Sequence, residues 1–497
     1  MSMALLLRTL APLSLALLAG ACTTRPASVA SPMDAAEPIS IVIDGDTSEW
    51  PATLAAMADE HYLYTRFSVA DEQFTLQSAP RSVSLWVDCD ANASTGAAVK
   101  GRDGAIGADM QVLFSPGGRG GVKLLALDST GGSRELSKAD FDLVFAPTYA
   151  SSWYELRICR TPQDKASLPA TGLLAPGRIK GFASVLDANG LVAAASDTFT
   201  VETDETCVGG RRLTAEDLPT APEGALRVVS WNVELSKPME SPAPFARVIK
   251  ALKPDVMLMQ EWEKGDAAEV DAWFEQHVGG AWNVRKAPGT MATGGGVLIA
   301  TRFEVVGGER QGIECTFRND AGEQETKPVR FIDATLNTPM GPVQVGSMHL
   351  KSRGTKDSVE DRRRMAEARA VNAAFAGNAS AAAAPRRIMS GDLNLVGSRP
   401  PLDILRAGID ADGSDLTPAA AMVHGDLAFY TWQDDKSPFS PGRLDWIVYS
   451  DSNLKEQAAF VLDAARLDES VLTKLGIERG DTAAADHLPV VLDLVPR

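Results

Sequence analysis

From residue 226 onward the apolar positions run together instead of alternating. Leu226 to Val233, LRVVSWNV, is nearly all apolar, which predicts a strand buried on both faces and ending at Asn232. Phe245, Val248, Ile249 and Leu252 then recur at helical spacing until Pro254 stops them. Val256 to Met259 predict a second strand ending in Gln260 and Glu261, so Asn232 and Glu261 occupy corresponding strand ends. Gly294 to Gly296 lead into another strand, VLIATRF, and form no phosphate loop, since no Lys-Ser or Lys-Thr follows. Phe331 to Asn337 and Val343 to Met348 flank the turn Thr338 to Gly341, a hairpin whose second strand ends at His349. Ser358 and Asp361 predict a capping box opening a helix to about Ala376, with Arg362, Arg363, Arg364 and Arg369 on a solvated face. In Arg387 to Leu395, RIMSGDLNL, the apolar run breaks into Gly391, Asp392, Leu393 and Asn394, which is either a functional strand end or a plain turn. The last two strands are LDWIVYS, holding Asp445, and LPVVLDLV, directly behind Asp486 and His487.

The preceding part has a different period. Leu63, Thr65, Phe67 and Val69 alternate with outward positions, as do Val83, Leu85, Val87 and Cys89, and Gly117 to Gly121, Gly131-Gly132 and Asn189-Gly190 supply the turns. Strands without helices predict a β-sandwich over residues 38–205. Residues 206–224 carry Gly, Pro and mixed charge and lack apolar period, which marks a linker to a domain over 225–497. At 497 residues two domains are expected.

Residues 1–22 have the pattern of an export signal: Arg8, the apolar Leu10 to Leu18, then Ala19, Gly20 and Ala21 before Cys22. The segment is too short for a spanning helix. Leu18 to Cys22 resembles the bacterial lipobox, with Leu18 one position early; the resemblance implies lipidation at Cys22, and Thr23 resembles outer-membrane sorting. Residues 23–37 would be the tether, and membrane contact would run through the N-terminal lipid only. Cysteines 89, 159, 207 and 315 are too few for a disulfide scaffold; Cys159 with Cys207 is the pairing to test. A net charge of -17 excludes a broad basic surface for nucleic acid, though not a local groove, where Arg285, Lys286, Lys351 and Arg353 are the candidates.

Only five histidines occur, and His349 and His487 both stand at strand ends of the second domain. Asn232, Glu261, Asp392, Asn394, Asp445 and Asp486 stand at the same kind of place. Polar groups beside core strands are costly unless they meet one another or a ligand. Their types suit phosphoester hydrolysis: hard oxygens for magnesium, a carboxylate for water, imidazoles and an amide for phosphoryl oxygens. Without a cysteine or a histidine cluster, zinc fits poorly.

SWNVE, LMQEWE, GSMHLKS, SGDLNL, RLDWIVYS and ADHLPV, in this order, resemble the motifs of the endonuclease/exonuclease/phosphatase superfamily, the DNase I-like fold. The resemblance spans about Ala225 to Arg497 and implies a four-layer α/β (α+β) sandwich of two mostly antiparallel sheets between helices. It implies that Glu261 ligates magnesium (Mg2+, with Mn2+ as substitute), with Asn232 and Asp486 close to it. Asp392 would orient or deprotonate the attacking water, and Asn394 and His349 would hold phosphoryl oxygens. His487 paired with Asp445 would contact phosphate or act as acid or base; whether Asp392 or His487 is the base stays open. The substrate is a phosphoester: nucleic acid or nucleotide, with phosphatase or phospholipid substrates as alternatives. In the first domain, IVIDGDTSEWP (Ile41 to Pro51) and LWVDCDANASTG (Leu85 to Gly96), followed by GADMQ, resemble sandwiches related to family 9 carbohydrate-binding domains. That resemblance implies a glycan ligand, or calcium (Ca2+) at Asp88, Asp90 and Asn92; the last three are no EF-hand, since Ala93 and Val99 replace the required Gly and Glu. Asp46 and Trp50 are expected in a turn and a core. The expected protein is an exported, monomeric phosphoesterase anchored in the cell envelope; a surface glycan-binding protein with an inert second domain is the alternative.

Overall fold

The computed structural model describes residues 41–68, 74–102, 106–160, 177–203, 217–377 and 385–497. The export segment, Cys22, the tether, Cys207 and most of the expected linker lie outside the described residues. No helix among the described residues is long and apolar enough to cross a membrane.

Two antiparallel sheets build the N-terminal lobe. One orders Ala56–Ala58, Tyr62–Phe67, Tyr154–Cys159 and Val144–Ala146. The other centres on Gly177–Leu186, Val83–Asp88, Met110–Phe114 and Val122–Leu127. The alternation seen in the sequence sends Leu63 and Phe67 from the first sheet, and Val83, Leu85 and Val87 from the second, into one core. Trp50 is buried and donates Nε1–H to Glu155 Oε2 at 2.8 Å, while Asp46 is an exposed turn residue accepting from Ser48 N.

The C-terminal lobe is the four-layer α+β sandwich. A seven-stranded sheet orders Asn283–Lys286, Val297–Thr301, Val256–Gln260, Leu226–Asn232, Val490–Pro496, Leu454–Val461 and Met422–Val423. A six-stranded sheet orders Glu304–Gly307, Arg330–Thr338, Gly341–His349, Arg386–Asp392, Asp445–Tyr449 and Thr417–Pro418. Most pairs are antiparallel; the exceptions include Leu226–Asn232 with Val256–Gln260 and Gly341–His349 with Arg386–Asp392. Val228, Leu258, Val345 and Ile388 fill the space between the sheets. Outside, Pro242–Leu252 and Ala267–His277 cover the first sheet, and Val359–Ala376 covers the second. Both sheets are therefore covered on two faces, which is why their strands read as continuous apolar runs.

The predicted capping box is only half formed. Ser358 Oγ accepts from Asp361 N at 3.3 Å, but the Asp361 carboxylate turns away to Arg364 Nη2 and to Ser398 N at 2.9 Å. Arg364 is likewise a correction to the solvated face: it is fully buried and donates to the carbonyls of Lys351 and Arg353. A guanidinium with several rigid donors can close a loop from inside, so its charge does not require a surface.

The two lobes share a core. Ile41, Ile43, Trp50, Tyr62 and Val144 pack in the same apolar cluster as Val228, Leu258 and Ile447. Beside it lies a buried ionic network in which Arg157 Nη2 donates to Asp426 Oδ2 at 2.7 Å and to Asp142 Oδ2 at 3.1 Å. Arg466 Nη2 reaches Asp142 Oδ1 at 2.6 Å and Asp426 Oδ2 at 2.9 Å, and its Nε donates to Tyr430 Oη.

Candidate active site

The parallel register fixes the centre of the site. His349 and Asp392 are cross-strand partners at the ends of Gly341–His349 and Arg386–Asp392, and Asp392 also faces Asp445 on the next strand. Gly391 permits this approach: a Cβ there would lie 1.8 Å from the Met348 carbonyl oxygen, so the glycine belongs to the strand. The chain turns only afterwards, where Asn394 adopts a left-handed φ of 49° and its N–H donates to Asp392 Oδ1 at 2.9 Å.

The other sheet supplies Asn232 and Glu261 from adjacent strand ends, as expected. Asn232 Nδ2 lies 3.2 Å from both Glu261 Oε1 and Asp392 Oδ2, which ties the two sheets together at the site. Glu261 has a left-handed φ of 61°, and Glu234, Leu235 and Ser236 beside it are left-handed in succession. Each such non-glycine residue costs about 1–3 kcal/mol, and strain of this kind gathers at functional sites. The Leu235 N–H donates to Glu261 Oε2 at 3.1 Å, so the strained loop holds the carboxylate.

His487 Nδ1 is 2.7 Å from Asp445 Oδ2, and its Nε2 lies 3.7 Å from Asp392 Oδ2. Thr431 Oγ1 accepts from Leu444 N and Asp445 N, so its own proton goes to Asp445 Oδ2, 2.6 Å away. Oδ2 is thus an acceptor only, Nδ1 carries a proton, and Nε2 faces Asp392. Burial alone would depress the imidazole, but the carboxylates of Asp445 and then Asp392 carry it up to about 10. Burial raises the Asp392 carboxyl to about 7, with His487 pulling it down and Asp445 and Glu261 adding like charge. His349 is held well below the ordinary value by burial and then by Arg330, so it is neutral at pH 7.

Asn394 donates Nδ2–H to the Leu350 carbonyl at 3.3 Å. Asp486 Oδ2 accepts from Trp432 Nε1 at 2.9 Å, its N–H donates to Glu234 Oε2 at 2.9 Å, and its charge is among those that raise His487. Among the described residues, Glu261, His349 and Asp392 offer ligand atoms within 4.8 Å of one another. Two carboxylates suit a hard divalent cation, with Glu261 the natural first ligand, while the Asn232 amide oxygen accepts from Glu234 N at 3.1 Å and its NH2 bridges the carboxylates. A cleft of about 1350 Å3 opens beside Glu234 and Asp486 and is walled by Arg119 and Lys123 of the N-terminal lobe.

Arg330 was missed from sequence. It lies opposite His349 in the hairpin, with Nη1 3.2 Å from His349 Nδ1 and Nη2 donating to the Leu350 carbonyl at 2.6 Å. Of the groove candidates, Arg285 pairs with Glu309, Lys286 donates to the carbonyls of Glu263 and Gly265, and Lys351 donates to that of Ser352. Arg353 is exposed. In the N-terminal lobe Asp109 joins Asp88 and Asp90, with ligand atoms within 4.8 Å of one another. Asn92 instead gives its amide oxygen to Ser94 N and Oγ, so it closes the turn.

Residues 229–487 match the endonuclease/exonuclease/phosphatase family, more than half of the chain, and the protein belongs to that family. It is a phosphoester hydrolase with the DNase I-like fold. No curated protein matches the chain. Solved structures similar to it include the human nocturnin catalytic domain with bound sulfate, at 17% identity and a TM-score of 0.35, covering 56% of this chain and 97% of that one. D. rerio TDP2 with a single-strand DNA product gives 15% identity and a TM-score of 0.35, covering 55% and 100%. Sphingomyelinase C from Streptomyces griseocarneus gives 16% identity and a TM-score of 0.32, covering 54% and 99%. Family membership rests on the matched residues, not on these distant likenesses.

Proposed function

We propose that the protein is a magnesium-dependent phosphodiesterase that hydrolyses nuclease-type phosphodiester bonds by attack of water. The observation that carries this reading is the meeting of Asn232 and Glu261 from one sheet with His349, Asp392 and the Asp445–His487 pair from the other. Glu261, with Asn232 beside it, would hold the cation, which when bound neutralises phosphoryl charge and acidifies water. Asp392 orients the attacking water and takes its proton. Asn394 and neutral His349 donate hydrogen bonds to phosphoryl oxygens as charge builds on them. His487, kept protonated and aimed by Asp445, donates from Nε2 to the phosphate or to the departing oxygen.

The test is hydrolysis by the lipid-free protein, from Ser31 onward, of single- and double-stranded DNA, a phosphodiester dye, a phosphomonoester and a choline phospholipid, with and without magnesium. Turnover of the diesters that Asp392→Asn and His487→Ala both abolish supports the reading. Turnover confined to the monoester or the phospholipid replaces the substrate class, and no turnover by folded protein overturns it. We also propose export and lipid anchoring at Cys22 in the outer membrane, motivated by Arg8, Leu10 to Leu18 and the lipobox-like Leu18 to Cys22. Labelled fatty acid should enter the wild type and not Cys22→Ala; equal labelling would refute the anchor.

A further inference from the structure

We infer that the N-terminal lobe is a positioning element of the catalytic site, holding the two loops that flank Asp392, Asn394 and Asp445. The inference rests on the phosphodiesterase reading for its kinetic consequence, and on the geometry alone for its structural one.

The first loop leaves the site directly after Asn394. Thr148 Oγ1 donates to the Leu395 carbonyl at 2.8 Å, and both Thr75 Oγ1, at 3.1 Å, and Ala150 N, at 2.8 Å, donate to the Gly397 carbonyl. The second loop runs from Thr431, which bonds Asp445, round to Asp445 itself. Ile43 pairs with its entrance, donating to the Leu427 carbonyl and accepting from Phe429 N, both at 2.9 Å. At its tip Val122 N donates to the Pro438 carbonyl at 2.8 Å, and Lys138 Nζ donates to the carbonyls of Ser437 and Phe439 at 2.9 Å. At its exit Thr148 Oγ1 lies 3.3 Å from the Arg443 carbonyl, two residues before Asp445.

Thr148 therefore bridges both loops with one hydroxyl. The fit is close: a Cβ on Gly442 would lie 2.4 Å from Thr148 Cγ2, and one on Gly121 would lie 2.8 Å from Pro438. Each of these loops is held by backbone carbonyls, so the lobe sets where the chain runs whatever side chains it bears. A lobe that served only to bind a separate ligand would have no reason to close on the two loops flanking the catalytic carboxylates. Since a misplacement of about 1 Å in a catalytic group costs up to about 10²-fold in rate, such a grip acts on turnover before it acts on substrate binding.

The experiment compares full-length Thr75→Val/Thr148→Val with Thr75→Ser/Thr148→Ser, which keeps both hydroxyls. The readouts are kcat and KM on bis(p-nitrophenyl) phosphate with magnesium, Tm, and hydrogen exchange over residues 393–399 and 441–446. The expected result for the valine variant is a kcat about tenfold lower with KM within about twofold, and faster exchange in both segments. The serine variant should match wild type within about twofold in kcat and in exchange. Unchanged exchange in a folded valine variant overturns the inference, as does an unchanged kcat, or a kcat loss that serine does not rescue. A wild type that hydrolyses no phosphoester overturns the phosphodiesterase reading instead, and exchange then decides the positioning alone. Thr148→Val by itself carries the same comparison if the double variant fails to fold.

Discussion

Replacing Asp445 by asparagine separates charge from shape in the acid half of the site. Asp445 Oδ2 accepts from Thr431 Oγ1 at 2.6 Å and from His487 Nδ1 at 2.7 Å, while Oδ1 is buried without a partner among the described residues. Both partners meet the one oxygen, so an asparagine serves them by keeping its own oxygen there with its NH2 at the buried Oδ1 position, and the fold should survive with a modest loss in Tm. What disappears is the negative charge that keeps His487 protonated. A hydrogen bond to a charged partner contributes about 1.5–3 kcal/mol, and the smaller protonated fraction of His487 adds to the loss. The transition state should then lose about 3–5 kcal/mol, a fall in kcat of about 10²–10⁴-fold with little change in KM. The pH dependence gives a second reading. Asp445 is the first cause carrying His487 upward against burial, so its removal lowers the imidazole pKa. If protonated His487 is the working form, the basic limb of the pH–rate profile moves to lower pH and part of the activity returns near pH 5. Steady-state rates on the phosphodiester dye from pH 5 to 9 decide it. A variant within about threefold of wild type across that range would refute the role given to the pair.

Other perturbations test other parts of the molecule. Arg466→Met removes one of the two guanidinium groups that meet the buried carboxylates of Asp142 and Asp426, and should cost about 3–5 kcal/mol in urea unfolding; a loss under about 1 kcal/mol would show that the network does not join the lobes. Against burial, Arg157 and Arg466 hold Asp426 below its ordinary value, so its stabilisation is present above pH 4 and fades as pH falls, and acid titration of unfolding in wild type and variant should converge there. Arg330→Met should lower kcat/KM by about 10²-fold by freeing His349, with Arg330→Lys restoring part; an unchanged rate would show that His349 is held without it. Asp109 Oδ1 is buried and, among the described residues, unpartnered beside Asp88 and Asp90, so calcium at about ten times its Kd should raise Tm by about 1–2 °C and Asp109→Asn should remove the effect. A Tm flat in calcium would show that the three carboxylates serve the turn only.

The catalytic sheets were legible because both faces of each strand are covered: Leu226–Asn232 and Val256–Gln260 are buried throughout, so the apolar run and its polar end were one signal. Asn232, Glu261, His349 and Asp392 were visible as those ends. Arg330 was not, because it begins its strand; yet Thr338 pairs with Gly341, and counting the hairpin back from that turn sets Arg330 opposite His349. Asp361 was misread because a carboxylate at a helix start has two uses, and only the fold shows that Ser398, far along the chain, claims it. Thr431 lies in an irregular stretch, where no period marks a residue, and its role exists only through contact with Asp445. The sharing of a core between the lobes left no local trace either: Ile41 and Ile43 alternate as any edge segment does, whatever they pack against.

The pairing of Ile43 with Leu427 and Phe429 also bears on how the chain reaches its fold. Closing a loop of roughly 400 residues costs roughly 5 kcal/mol of chain entropy, and the reward arrives only when the last sixth of the polypeptide exists. During synthesis the first segment of the N-terminal lobe must therefore wait, its isoleucines exposed, until the strands that close the catalytic sheets have emerged. The N-terminal lobe has a core of its own around Leu63, Phe67, Val83 and Leu85, so what must come late is the docking of its first segment, and a chain released early would present an unfinished edge to its neighbours.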